Sequence, residues 1–167
     1  MKKGEMLSMA ILIATLAHEG QFDKAGKPYI LHALTVLHKV DEDEETQCAA
    51  VMHDVIEDCS GKVIHLNGKP VVISFAMLKE AGMSEAVIDA VRRLTKMPGQ
   101  TYEEYQAEVL GSLISMRVKK EDLRTNSDLR RLKSRTITEK DIARVAKYMQ
   151  FYAIIQQRLE EPKGATW

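Results

Sequence analysis

His53-Asp54-Val55-Ile56-Glu57-Asp58 is the stretch on which the fold turns. In a helix successive side chains rotate by about 100°, so His53, Asp54, Glu57 and Asp58 fall within one arc while Val55 and Ile56 point away. Three carboxylates and an imidazole on one face repel each other unless a divalent cation or a shared proton lies among them. A merely solvated helix carries the same residue types, and the flanking sequence distinguishes the two. Upstream, Glu45 to Met52 reads Glu-Thr-Gln-Cys-Ala-Ala-Val-Met, which sets Ala49 and Ala50 on or beside the same face one turn earlier. A solvated face seldom runs straight into alanines and a methionine, whereas a buried helix carrying a site does.

The 167 residues suffice for one domain that buries its own core. With 24 basic and 24 acidic residues the net charge is zero, so no global field argues for nucleic acid or an anionic membrane. Cys48 and Cys59 show no C-x-x-C spacing, which argues against a zinc ribbon or a redox pair and suits a reducing, cytoplasmic setting. The apolar run Met6 to Ala17 begins beside Glu5, lacks a following A-x-A cleavage site and is too short to span a bilayer. It is expected to be a buried first helix.

Helical patterning dominates the rest. A helix over 4–19 should stop at Gly20, and Pro28 suits the first turn of a second helix over 29–40. An acidic loop over 41–45 leads to the helix carrying His53. Asn67-Gly68 between two β-branched runs predicts a hairpin near residues 62–73, a surface appendage with Pro70 on an edge strand. Ser74 and Ser84 are expected to cap helices over 75–81 and 85–96, and Thr101 with Glu104 to form a capping box opening a helix over 102–116. Further helices are expected over 118–132 and 138–159.

Ligands for a cation are spread along the chain. His32 interrupts an apolar stretch of the second helix, where a core histidine is the alternative, and Asp122 lies one turn before Asn126 on the same face, where a surface pair is the alternative. Together His32, His53, Asp54 and Asp122 would supply two imidazoles and two carboxylates from three helices. Such a shell suits Mn²⁺ or Fe²⁺ better than a closed structural zinc. A metal held this way would acidify a bound water and polarise a phosphoryl oxygen, with Glu57 and Asp58 orienting that water or shuttling its proton.

Five blocks occur in order: Ala17-His18-Glu19-Gly20-Gln21; Gly26-Lys27-Pro28-Tyr29-Ile30-Leu31-His32; the His53 to Asp58 block; Leu94-Thr95-Lys96; and Val118-Lys119-Lys120-Glu121-Asp122 followed by Asn126. In that order, from about His18 to Tyr148, the chain resembles the HD phosphohydrolases and, within them, the RelA/SpoT-type alarmone hydrolase domain. The resemblance implies an all-α fold, an HD-domain helical bundle, here over residues 1–160; the hairpin near 62–73 looks like an insertion, and residues 161–167, with Pro, Gly and no periodicity, are expected to be a flexible tail. It implies Mn²⁺, or another divalent transition metal, held by His32, His53, Asp54 and Asp122, with Glu57 and Asp58 serving the attacking water. Family members of this type remove pyrophosphate from the 3′ position of guanosine tetra- or pentaphosphate. Lys24, Tyr29, Thr95, Lys96 and Asn126 match positions near the substrate.

Departures from the pattern bear on the substrate. Where the family has an arginine that stacks on guanine, two residues after the glutamine, this chain has Asp23, and a carboxylate supplies no planar cationic contact. The family's His-Pro is His32-Ala33, and its Lys-Leu-Ala-Asp is Lys119-Lys120-Glu121-Asp122. Three readings therefore stand. The first is an alarmone 3′-pyrophosphohydrolase without an attached synthetase. The second is an HD-type phosphatase acting on another nucleotide or on the 2′-phosphate of NADPH. The third is a degenerate module binding a nucleotide or a partner protein. The cations between Arg117 and Lys133 are interleaved with Glu121, Asp122 and Asp128 and lack aromatic neighbours, so no nucleic-acid binding is expected.

Overall fold

The computed structural model describes residues 4–40, 43–132 and 136–160. Parts of the expected acidic loop, Lys133 of the basic run and the expected tail over 161–167 lie outside the described residues. The described chain is helical apart from one hairpin: α1 Glu5–Ala17, α2 Ile30–Leu37, α3 Glu44–Met52, α4 Val55–Cys59, β1 Val63–Leu66, β2 Lys69–Val72, α5 Phe75–Glu80, α6 Glu85–Leu94, α7 Tyr102–Leu110, α8 Leu113–Asn126, a 3₁₀ turn Leu129–Leu132, and α9 Glu139–Glu160. No helix among these residues is long and apolar enough to cross a membrane.

Local chemistry sets most of the boundaries. Asp43, Ser74 and Ser84 each accept a hydrogen bond from the backbone N–H three residues on, opening α3, α5 and α6. Thr101 and Glu104 form the expected reciprocal box at the start of α7. At the end of α1, Lys62 donates its Nζ to the carbonyls of Ala17 at 2.7 Å and Glu19 at 3.1 Å, a cation placed where helix carbonyls are left without partners.

The hairpin pairs Val63 with Val72 and Leu66 with Lys69, and Asn67 and Gly68 turn it at φ 52° and 76°. It is more than a surface appendage. Ile64 and the adjacent Ile73 are buried in the main core, and β1 lies against α1.

α3 is the central helix, packing against α1, α2, α6 and α8. Cys48, Ala49, Ala50, Val51 and Met52 are all fully buried, and the alanines let neighbouring helices approach closely. A second cluster, Tyr105, Val109, Leu123, Phe151 and Ile155, fastens α9 to α7 and α8.

Two expected helices are broken. The one expected over 102–116 ends at Leu110, because Ser112 is extended (φ −143°, ψ 139°) and α8 starts afresh at Leu113. The buried Ser115 hydroxyl lies 2.6 Å from the Val109 carbonyl, a group freed by the break, and 2.9 Å from that of Ser112, which already accepts the Met116 N–H. α8 correspondingly starts before residue 118 and ends at Asn126, with a turn separating it from the 3₁₀ segment. The helix carrying His53 also breaks, at His53-Asp54, where Asp54 takes φ −105°, ψ −1° before α4 begins.

Candidate metal centre and adjoining cleft

His53 occupies the corner between α3 and α4 and is 1% exposed. Its Nδ1 lies 2.7 Å from the Ala50 carbonyl, which accepts only from an N–H, so the ring carries its proton on Nδ1. Nε2 is the nitrogen left to serve as a ligand, and it is buried without an aligned hydrogen bond. It faces Asp54 Oδ2 at 2.9 Å and Asp122 Oδ1 at 3.6 Å. His32 reaches in from α2, with Nε2 3.1 Å from Asp122 Oδ1. Ligand atoms of His32, His53 and Asp54 all lie within 4.8 Å of one another. Imidazole nitrogens and carboxylate oxygens turned toward a common centre, one ring with its tautomer set by a backbone carbonyl, form a donor set that fits a divalent metal.

The carboxylates are held by neighbours. Burial pushes the Asp54 carboxyl up, but the adjacent His53 and the hydroxyl donated by Tyr29 hold it down to about 2. Burial acts the same way on Asp122, and the Lys119 ammonium overrides it. Lys119 donates to Asp122 Oδ2 at 2.8 Å and lies over the Tyr105 ring, while Asn126 donates to Asp122 Oδ1 at 2.7 Å. Both carboxylates therefore stay ionised and aimed.

Glu57 and Asp58 stand outside this centre on α4, toward solvent. Glu57 Oε2 accepts the Lys96 backbone N–H at 2.6 Å. Partial burial raises its pKa and the charge on Asp54 adds to the rise, against the opposing Lys96 N–H. Asp58 Oδ2 accepts from Gln21 Nε2 at 2.8 Å, and Gln21 Oε1 lies 2.7 Å from His18 Nδ1. Beside these groups opens a cleft of about 300 Å³ whose lining includes Lys24, Tyr29, Asn126, Arg131, Arg144 and Tyr148.

No family model matches the chain. Curated relatives do. A guanosine-3′,5′-bis(diphosphate) 3′-pyrophosphohydrolase of Vibrio cholerae is 36% identical over 108 residues, 62% of this chain and 14% of the relative. The bifunctional (p)ppGpp synthase/hydrolase SpoT of Escherichia coli is 34% identical over 114 residues, 65% of this chain and again 14% of the relative. The chain thus spans about 14% of the length of the curated relatives it matches. A solved structure, described as a metazoan ortholog of SpoT that hydrolyses ppGpp and plays a role in starvation responses, superposes with a TM-score of 0.66 at 20% identity. That match covers 96% of this chain and 88% of the other. The fold is the HD-domain bundle. The resemblance drawn from the ordered blocks is met by both kinds of likeness, and the hairpin is carried on that bundle.

Within the HD fold, His32, His53, Asp54 and Asp122 converge as a group, and Lys24, Tyr29 and Asn126 line the cleft beside them. Thr95 does not join them: its buried hydroxyl donates to the Val91 carbonyl. Lys96 lies on the Glu57 side, exposed and outside the cleft lining. The sequence does not single out His18, Gln21, Arg131, Arg144 or Tyr148 as site residues. Arg144 and Tyr148 are one turn apart on α9, a spacing that places both on one face, but nothing local ties that face to Lys24. Arg131 was read as one cation in a basic run.

Proposed function

We propose that this chain is a Mn²⁺-dependent phosphohydrolase that removes pyrophosphate from the 3′ position of guanosine tetra- or pentaphosphate. The observation that carries the reading is the convergence of the buried His53 Nε2, its ring oriented by the Ala50 carbonyl, with His32, Asp54 and Asp122 beside a cation-lined nucleotide-sized cleft. The relatives' names supply the substrate class.

His32, His53, Asp54 and Asp122 hold the metal, and a shell of nitrogen and oxygen ligands suits Mn²⁺. When bound, the metal supplies Lewis acidity toward water and toward a phosphoryl oxygen. Tyr29 and Lys119 keep Asp54 and Asp122 in place as ionised ligands. Glu57, with its pKa raised, takes the proton of the attacking water, and Asp58, tied to Gln21, orients that water. Lys24 and Arg144 meet the phosphates, and Asn126 meets the nucleoside. Water adds to the 3′-linked phosphorus, the bond to the ribose oxygen breaks and that oxygen takes up the proton given up by the water, releasing guanosine diphosphate and pyrophosphate.

The test is incubation of Mn²⁺-loaded protein with guanosine tetraphosphate, with Asp54→Ala as the control. Equal amounts of guanosine diphosphate and pyrophosphate, formed by the wild type alone, are expected. Asp23 favours one second reading, a phosphatase acting on another nucleotide or on the 2′-phosphate of NADPH. Orthophosphate released from NADPH, with guanosine tetraphosphate left intact, would establish that reading instead. Metal bound without turnover of any nucleotide would leave a binding module.

A further inference from the structure

Arg131, on the 3₁₀ turn, lines the cleft, and three of the five N–H donors of its guanidinium are taken up by the protein. Nη1 donates to the Thr125 carbonyl at 3.1 Å and to Asn126 Oδ1 at 3.1 Å, and it lies 3.4 Å from His32 Nδ1. Nη2 donates to Asp23 Oδ2 at 3.2 Å. A guanidinium tied at both terminal nitrogens is fixed in its plane, which preorganises its flat face for stacking. Phe22, Tyr148 and Leu132 line the same cleft. Flat, apolar and cationic surfaces together suit a nucleobase.

Asp23 is equally committed. Its Oδ1 accepts the backbone N–H groups of Ala25 at 2.8 Å and Lys27 at 2.9 Å, and Oδ2 is left for Arg131. The carboxylate thus has no oxygen facing the ligand unopposed. It locks the loop between α1 and α2 and fixes Arg131 across a sequence separation of 108 residues.

We propose that Arg131 is the residue that recognises the purine base, by stacking of its guanidinium face, and that Asp23 is the residue that positions it. The loop position that carries a stacking arginine in the resembling family is occupied here by the anion, and the cation comes from the opposite side of the cleft. This inference rests on the reading of the cleft as a nucleotide site.

The experiment compares wild type, Arg131→Gln, Arg131→Lys, Asp23→Asn and the Asp23→Asn/Arg131→Gln double variant. Each is checked for unchanged metal content, and two quantities are read: KM and kcat for guanosine tetraphosphate, and direct calorimetric affinity for guanosine diphosphate, which needs no turnover. Arg131→Gln should weaken guanosine diphosphate roughly tenfold to a hundredfold and raise KM in parallel, with kcat changed far less. Arg131→Lys, which keeps the charge and loses the plane, should resemble Gln. Asp23→Asn keeps the acceptor for Ala25 and Lys27 but turns an N–H toward Arg131, so it should weaken binding as well. The double variant should be no worse than Arg131→Gln alone. Wild-type affinity in Arg131→Gln, or full rescue by Lys, would overturn the inference even if guanosine tetraphosphate is hydrolysed. An Arg131-dependent affinity for guanosine diphosphate in a protein that does not hydrolyse the tetraphosphate would uphold it while overturning the proposed reaction.

Discussion

At the scale of single residues, the centre separates groups that hold from groups that react. Asp54 is mostly covered, and the Tyr29 hydroxyl and the His53 ring both lie against it. Replacing it by alanine removes a charged ligand, so Asp54→Ala should lose both metal and turnover, read by metal analysis after desalting and by product formation. Glu57 accepts the Lys96 backbone N–H and, partly buried, carries a raised pKa. Glu57→Gln should therefore keep its metal and lose turnover by roughly 10² to 10⁴, the range for general acid or base catalysis. Equal metal loss in the two variants would refute this division of roles. The pair His53-Asp54 was legible in the sequence because two ligands are adjacent and followed within one turn by further carboxylates. The expected continuous helical arc was not quite the means. The chain turns a corner between the two residues, and the corner aims both side chains inward.

At the scale of elements, helix starts were legible and helix breaks were not. A cap involves a side chain and a backbone N–H three residues away, so Ser74, Ser84 and the Thr101/Glu104 pair announce themselves locally. Gly111-Ser112 carried a breaker signal within a stretch whose apolar pattern continues on both sides, and periodicity outweighed it. What makes that break tolerable is Ser115, fully buried and placed against the carbonyls of Val109 and Ser112. Ser115→Ala should leave the Val109 carbonyl short of a partner and cost about 1–3 kcal/mol, measurable as a lower urea midpoint with an unchanged m-value. A loss of less than a few tenths of a kcal/mol would mean that water reaches the break.

At the scale of the whole molecule, the central α3 and the clamp of α9 make one site from segments far apart in the chain. The four proposed ligands arrive from α2, the α3–α4 corner and α8, so a metal that binds the folded state alone should stabilise all of them together. Free Mn²⁺ at a hundred times its Kd adds about 2.7 kcal/mol. The melting temperature should rise on adding Mn²⁺ and fall back with EDTA, and His32→Ala should abolish the rise. A melting temperature insensitive to metal would argue that the four side chains form a structural hydrogen-bond cluster. The sequence by itself determined the all-helical class and the hairpin, because periodicity, turn chemistry and capping act over a few residues. Only the tertiary structure decided which side chains share the cleft. Arg131 meets Asp23, and α9 brings Arg144 and Tyr148 to Lys24, through packing of the Phe151 and Ile155 cluster against α7 and α8. Such convergence depends on how buried faces fit across more than a hundred residues of chain, and no local pattern encodes it.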